Sequence, residues 1–197
     1  MVSLTENESR ILDFLIRNFS QNYNINQLSR ELKISPGGTY KILKKLEKQT
    51  FLIQEKRGNN IFYNINYQSE EALEACKFAL IEKRTTPYIR TWIKDLQSLK
   101  KKTQLAILFG SILKNGKEAR DIDVLLIFAK ENFKDIEEEI RRINKIRPKR
   151  IHAIYQTKMD LITNIKNQDK AVLEEIRSGI VLWGRNFLVE AIKNGQN

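Results

Sequence analysis

Two short apolar runs constrain the fold of this chain more than any other feature. Residues 105–109 (LAILF) are uninterrupted apolar side chains and lead directly into Gly110 and Ser111. Residues 122–128 (IDVLLIF) are apolar except for one aspartate. Runs of this length, bounded by turn residues, are typical of strands that are buried on both faces. The sequence therefore predicts two strands of a well-covered sheet, each with polar residues at one end.

Two carboxylates stand at the start of the second run, Asp121 and Asp123. Side chains alternate between the faces of a strand, so both would point to the same side, roughly 6–7 Å apart. Neighbouring carboxylates at the end of a buried strand repel each other and are costly to desolvate, and a bridging Mg²⁺ or Mn²⁺ would remove that conflict. The alternative is an ordinary hairpin whose aspartates cap a strand end or pair with Arg120 and nearby lysines.

Gly110 and Ser111 supply the other half of a candidate site. A glycine at the end of a strand lets the backbone approach a ligand closely. If Ser111 begins a short helix, its free N–H groups face the same space as the two aspartates. A metal on one wall and an anion cradle on the other describe a site for a nucleoside triphosphate with Mg²⁺.

These residues resemble the signature of the polymerase-β-type nucleotidyltransferase superfamily. The similarity is strongest to its minimal archaeal and bacterial members: Phe-Gly-Ser, a short glycine-containing loop, then Asp-Ile-Asp-Val-Leu-Leu-Ile. It extends over roughly residues 104–190, with the sharp motif in the first quarter. The resemblance implies Mg²⁺ or Mn²⁺ as cofactor and a nucleoside triphosphate as substrate. It implies metal and catalytic roles for Asp121 and Asp123 and phosphate contacts from Gly110 and Ser111, with Lys114 as an additional charge.

The chain departs from the family pattern where a third carboxylate is expected on a later strand. The matching strand is residues 150–155 (RIHAIY), which contains no acid. His152 is the only ionisable residue at a suitable alternating position, and a neutral imidazole can serve as ligand or base. Arg120 also replaces the hydroxyl residue that many members have before the paired aspartates. Whether the chain is an enzyme therefore stays open at this stage.

Residues 1–68 show a different organisation. Thr5 with Glu8 forms a capping-box pattern, and Ser35 followed by Pro36 marks the start of a third helix. Residues 51–57 and 61–65 are β-rich runs around Gly58-Asn59-Asn60, which predicts a hairpin. Three helices followed by a hairpin resemble the winged helix-turn-helix fold. In that fold the third helix enters the major groove of DNA and the hairpin is the wing.

Double-stranded DNA is accordingly the expected partner of residues 1–68, with RNA as the alternative polyanion. The expected contacts lie on the third helix and the wing, at Thr39, Tyr40, Lys41, Lys44, Lys45, Lys48, Lys56, Arg57, Asn59 and Asn60. The competing interpretations are a solvated lysine-rich helix face or a winged helix that binds protein. The formal charge of +11 favours a polyanionic partner but is spread along the chain, so it does not locate the surface.

Residues 69–103 contain two helical patterns, and we interpret them as a connector that could also carry a homodimer interface. The overall expectation is an α+β chain: a winged helix-turn-helix at 1–68, a helical connector at 69–103 and a mixed-sheet nucleotidyltransferase-like domain at 104–197. The single cysteine, Cys76, fits a reducing cytoplasm and lies in a helical apolar pattern as a buried small hydrophobe. We expect no membrane span and no signal peptide.

Two functions follow from this organisation. In the first, a DNA-binding winged helix carries a metal-dependent nucleotidyltransferase that modifies a nucleic-acid or protein acceptor. In the second, the transferase-like domain is degenerate and binds a nucleotide or a partner. The protein is then a transcriptional regulator or an antitoxin-like component.

Overall fold

The computed structural model describes residues 4–81 and 85–196. They form two compact units, Met1–Ile81 and Glu82–Asn197. Both helices and sheets occur in each unit, which confirms the predicted α+β class. The segment predicted as a connector, residues 69–103, is divided between the two units: its first helix lies in the first unit and its second helix in the second.

The first unit has the element order of a winged helix, as the sequence predicted. A three-stranded antiparallel sheet of order β1-β3-β2 completes it. Its elements are α1 (Glu6–Arg17), β1 (Tyr23–Asn24), α2 (Ile25–Leu32), α3 (Pro36–Lys48), β2 (Leu52–Arg57), β3 (Asn60–Ile65) and α4 (Glu70–Ala79).

Local sequence signals define where these helices begin. Thr5 and Glu8 form the predicted reciprocal capping box at α1, with Glu8 Oε2 2.8 Å from the Thr5 backbone nitrogen. At α3 the Ser35 hydroxyl accepts from the Gly38 backbone N–H, and Pro36 occupies the first helical position. The wing turns at Gly58, whose φ of +60° is the left-handed conformation that glycine adopts without strain.

The core of the first unit is built where the three helices meet the sheet. Ile11, Leu28, Leu43 and Tyr63 are fully buried there. Helix α4 packs against α1 and buries Cys76 completely, as expected for a small hydrophobe. Each buried aliphatic side chain contributes roughly 1.5–3 kcal/mol relative to exposure, so this face holds α4 on the unit.

The second unit is organised around a mixed four-stranded sheet of order β6-β5-β4-β7. Strand β4 is antiparallel to β5 and β7, and β5 is parallel to β6. The elements are α5 (Pro87–Leu96), β4 (Leu105–Phe109), α6 (Ser111–Asn115), β5 (Ile122–Ile127), α7 (Phe133–Ile146), β6 (Ile151–Gln156), α8 (Lys158–Lys166), α9 (Lys170–Ser178), β7 (Ile180–Trp183) and α10 (Arg185–Gln196).

The two apolar runs of the sequence are the central strands β4 and β5, and both are buried along their length. One set of alternating side chains, including Leu108 and Val124, packs against α5 and α7 through Trp92 and Ile140. Helices α9 and α10 contact β4 as well. The register places Asp123 opposite both Phe109 of β4 and His152 of β6. The ends of three strands therefore bring the candidate residues together.

Candidate active site

The carboxylate of Asp123 lies directly on Gly110. Gly110 directly follows β4 and has φ +78° and ψ −154°, a conformation that side-chain-bearing residues rarely adopt. A Cβ atom built on Gly110 would lie 2.2 Å from Asp123 Oδ2 and 3.0 Å from its Cγ. Glycine is required here for two separate reasons, the backbone angle and the contact. The structure thus places one of the paired acids and the glycine corner on the same wall.

His152 is the nearest ionisable neighbour of Asp123. Its Nδ1 lies 3.1 Å from Asp123 Oδ1, and the two residues are register partners on parallel strands. The imidazole is 67% exposed whereas the Asp123 side chain is 18% exposed. Such an exposed contact contributes little to stability, so its value lies in orienting the carboxylate.

Asp121 lies one residue before β5 and is exposed. Among residues 4–81 and 85–196, no lysine or arginine lies within ion-pair distance of Asp121 or Asp123, and Arg120 is exposed. The interpretation in which these acids merely pair with basic neighbours therefore finds no support in the described part of the chain.

Helix α6 follows the glycine corner and is only five residues long. A helix this short has a small dipole, so what it offers is the backbone N–H groups of Ser111 and Ile112, since the Leu113 N–H already donates to the Gly110 carbonyl. Lys114 is exposed on α6, and the loop after it is tied down by Lys149, whose ammonium contacts the Lys117 and Ala119 carbonyls.

A cavity of about 580 Å³ opens between α6 and α9 beside this corner. Its lining includes Gly110, Ser111 and Lys114, and also Glu175 from α9. Glu175 was not identified from the sequence. Its position beside Val172 and Ile176 on the apolar face of α9 is a signal that could have found it, because a carboxylate there interrupts the helical pattern.

Glu175 is buried, and its Oε2 has no hydrogen-bond partner among the described residues. Burial raises the pKa of its carboxyl to about 7, with further contributions from the charges of Asp169 and Asp123. Glu175 lines the same cavity as Gly110, and the Asp123 carboxylate lies against Gly110, so Glu175 belongs to the same region as Asp123. An unpaired buried carboxyl of this kind is uncommon away from functional sites.

The residues at this site are the right type of ligand for a divalent cation, but they do not form a complete coordination sphere. Carboxylate oxygens are the ligands that Mg²⁺ prefers, and the uncompensated charge of Asp121 and Asp123 would attract one. Within the described ranges, no group of three or more His, Cys, Asp or Glu side chains is arranged to hold a metal ion. Mg²⁺ keeps several waters and substrate phosphates as ligands, so two protein carboxylates suffice for a site completed by its substrate.

On the first unit, one predicted DNA contact is wrong. Thr39 is fully buried, because it falls on the same face of α3 as Leu43 and Leu46, and it cannot reach phosphates or bases. Tyr40 is 49% exposed, and Lys41 and Lys48 are exposed as well. The wing residues Lys56, Arg57, Asn59 and Asn60 are all exposed.

Several of the predicted cations are engaged within the unit. Lys44 Nζ lies 2.7 Å from Glu47 Oε2, and Lys45 Nζ lies 2.5 Å from Oε1 of the buried Glu8. On the wing, the guanidinium of Arg57 donates two hydrogen bonds of 2.8 Å to the carboxylate of Glu55. A phosphate would have to compete with these carboxylates, which singles out Lys41 and Lys48 as the most available positive charges of α3.

Residues 92–187 match the family model described as polymerase beta, nucleotidyltransferase. The match spans almost half of the chain and lies within the second unit, and it supports the nucleotidyltransferase domain predicted from the Gly-Ser and Asp-x-Asp residues. No curated protein matches the chain significantly. None of the described helices is both long and apolar enough to span a membrane.

Solved structures of bacterial proteins are similar to parts of the chain. The structure of a zinc-responsive MarR family member, Lactococcus lactis ZitR, is 19% identical with a TM-score of 0.33, over 74% of this chain and 77% of that one. Adhesin competence repressor from Streptococcus pyogenes is 16% identical with a TM-score of 0.35, over 73% and 82% of the two chains. Because these TM-scores are low, the assignment of the winged helix depends on its own element order.

Proposed function

We propose that this chain is a DNA-binding winged-helix protein whose second unit binds a nucleoside triphosphate with a divalent cation. It transfers the nucleotidyl group to an acceptor hydroxyl, whose oxygen bonds to the α-phosphorus while pyrophosphate leaves. The observation that carries the proposal is the contact of Asp123 with Gly110 at the ends of two central strands. The family match over residues 92–187 supports it, because that family transfers nucleotidyl groups. Asp121, two residues before Asp123, gives the site its second carboxylate.

Each group of the corner has a distinct task in this proposal. The backbone N–H groups that open α6 donate to the terminal phosphates, and Lys114 adds a compensating charge. Asp121 and Asp123 hold the cation, which would neutralise phosphate charge and make the attacking hydroxyl more acidic. Gly110 leaves room for the Asp123 carboxylate against the backbone, so the phosphates and the acids can lie within reach of the same ion.

His152 is the candidate for moving the proton. Its Nδ1 contacts Asp123, and the exposed imidazole leaves Nε2 available to an acceptor hydroxyl. In the tautomer with a proton on Nδ1, the imidazole donates to Asp123 and Nε2 can accept the hydroxyl proton as a base. The first unit would bind duplex DNA through α3 and the wing. That DNA would be the acceptor or would lie near it.

A second function is favoured by one specific observation. No third acid joins Asp121 and Asp123 in an arrangement for metal within the described part of the chain, and His152 occupies the strand position where such an acid is expected. In this alternative the domain binds a nucleotide or a partner without transfer, and the protein acts as a regulator or antitoxin-like component.

Label transfer distinguishes the two functions. The full chain is incubated with Mg²⁺, each α-labelled nucleoside triphosphate, and duplex DNA, RNA and protein acceptors. We expect label on an acceptor with the wild type, loss of label in Asp121→Asn/Asp123→Asn, and no change in Asp135→Asn, an exposed acid of α7. Nucleotide binding without transfer in the wild type would favour the second function. The absence of both would contradict the first function and the nucleotide-binding form of the second.

A further inference from the structure

The cavity between α6 and α9 has the volume of a small-ligand site. At about 580 Å³ it lies within the range that accommodates drug-sized molecules, including a nucleoside. Phe109 and Leu113 give it apolar walls, and Gly110 and Ser111 form its border with the proposed phosphate corner. A nucleotide whose phosphates lie at that corner would therefore find room for its base and sugar in this cavity.

Glu175 is the unusual group in the cavity. Only 6% of its surface is exposed, and Oε2 is shielded from solvent with no hydrogen-bond partner in the described part of the chain. A buried polar group without a partner is costly, and the fold gains nothing visible from this one. Its neighbour Glu174 lines the same cavity but is 60% exposed and lies 3.4 Å from Arg177.

We propose that this cavity binds the base and sugar of the nucleotide, and that Glu175 accepts a hydrogen bond from the exocyclic amino group of adenine or cytosine. The inference depends on the proposed function, because the phosphate corner fixes which way the nucleotide enters. Its consequence is a preference for ATP and CTP over GTP and UTP.

The chemistry of the bases leads to this preference. Adenine and cytosine carry an amino donor at the position where guanine and uracil carry a carbonyl oxygen. A carboxylate accepts from the amino group, whereas the carbonyl oxygen opposite a carboxylate gives two unpaired acceptors. A carboxylate can also recognise guanine, but that pairing uses two parallel N–H donors and both oxygens. The structure leaves one oxygen of Glu175, Oε2, without a partner among the described residues, and a single amino group supplies the one donor that this oxygen lacks.

Equilibrium binding to the full chain tests the inference without any need for turnover. Each of the four nucleoside triphosphates is titrated with Mg²⁺ at pH 8.5, where the carboxylate is ionised. We expect ATP and CTP to bind at least about tenfold more tightly than GTP and UTP, the effect of one hydrogen bond replaced by two facing acceptors. Glu175→Gln supplies both a donor and an acceptor, so the difference should shrink to within about threefold.

Two further variants keep the result interpretable. Glu174→Gln, at the exposed neighbouring position, should keep the wild-type preference. Ala171→Phe adds bulk to an exposed helix position that lines the cavity, so it should weaken the binding of all four nucleotides. The midpoint of thermal unfolding should not change. Thermal unfolding of Glu175→Gln checks that the variant is folded.

The outcomes separate the two proposals. Equal binding of all four nucleotides by the wild type, unchanged by Glu175→Gln, would overturn the inference and leave the proposed function intact. A preference for GTP, or normal binding by Ala171→Phe, would likewise overturn it. If none of the four nucleotides binds to the wild type, the proposed function fails and the inference fails with it.

Discussion

Each unit of this protein buries a glutamate, and the two carboxylates have opposite surroundings: one has a charged partner and the other does not. Glu8 in the first unit is 3% exposed and meets the Lys45 ammonium and the Thr5 backbone. Burial tends to raise the pKa of Glu8, but the hydrogen bonds from Lys45 and Thr5 outweigh it and hold that pKa below its ordinary value. Glu175 in the second unit is 6% exposed, lacks a partner at Oε2, and has its pKa raised to about 7.

The difference separates an acid that serves the fold from one that serves a site. Glu8 caps α1 and fixes it to α3 through Lys45, so its charge is stabilised where it stands. Glu175 lies in a cavity beside Gly110, in the influence of another acid, where the fold leaves its charge uncompensated. Proteins depart from local consistency mainly at functional sites, and Glu175 is such a departure beside the Gly110 corner.

Gly110→Ala is the variant with the largest expected effect on the second unit. A Cβ there would lie 2.2 Å from Asp123 Oδ2 and displace the carboxylate. We expect nucleotide binding in the presence of Mg²⁺ to weaken about a hundredfold or more, since both the acid and the phosphate corner move.

Gly116→Ala is the matched control for that variant. Gly116 also has a positive φ, +53°, but an added Cβ would meet no atom within 4 Å. Both variants should lose roughly 1–3 kcal/mol of stability from backbone strain, and only Gly110→Ala should lose nucleotide binding. Equal losses of binding would show that strain in the loop, rather than contact with Asp123, accounts for the effect.

The raised pKa of Glu175 predicts a particular dependence of stability on pH. Between pH 4.5 and 7 the folded state holds a proton that the unfolded state releases, so wild-type stability falls as pH rises through this window, by roughly 3 kcal/mol in total. Glu175→Gln removes the group, so the variant should be the more stable protein at pH 8 by a larger margin than at pH 4.5. Denaturant unfolding at several pH values measures the difference, and parallel curves would contradict the prediction.

Lys45→Ala tests the opposite case in the first unit. Removing the lysine leaves the buried Glu8 carboxylate with its Thr5 contacts alone, so we expect a loss of about 1–3 kcal/mol in unfolding free energy. Lys48→Ala, on the exposed end of the same helix, should change stability by less than about 0.5 kcal/mol. If the two variants unfold alike, the Lys45–Glu8 pair does not support the fold.

The smallest expected effect concerns DNA. Lys41 and Lys48 are exposed and take part in no ion pair described in the structure, so Lys41→Ala/Lys48→Ala should weaken duplex binding by about tenfold. The slope of log affinity against log salt concentration should fall by about 2, because about 0.9 counterion is released per contacted phosphate. An unchanged slope in fluorescence-anisotropy titrations would remove α3 from the DNA-binding surface.

Local signals allowed much of this fold to be predicted from sequence. The capping box at Thr5, the Ser35-Pro36 start of α3 and the wing turn at Gly58 each act within a few residues, and the structure contains all three. The apolar runs of β4 and β5 were equally clear, because a strand that is buried on both faces is apolar at consecutive positions.

The missed features depend on contacts between distant residues. Thr39 was placed on the wrong face of α3, although its spacing from Leu43 and Leu46 matches a helical period; its polar side chain suggested exposure. The interrupted apolar pattern of α9 marks Glu175 in the sequence, but its place beside Gly110 depends on the pairing of β7 with β4, which local patterns do not show. The family resemblance directed attention to β6 for a third acid, and the structure has His152 there.

The central claim is that Asp123, Asp121 and the Gly110 corner form one site for a nucleotide with a divalent cation. Mn²⁺ titrations followed by electron paramagnetic resonance, with and without ATP, test it on the full chain. We predict one Mn²⁺ bound per chain that depends on ATP for tight binding, lost in Asp123→Asn and kept in Asp135→Asn. Wild-type protein that binds no additional Mn²⁺ in the presence of ATP, or an Asp123→Asn variant that binds it normally, would contradict the account.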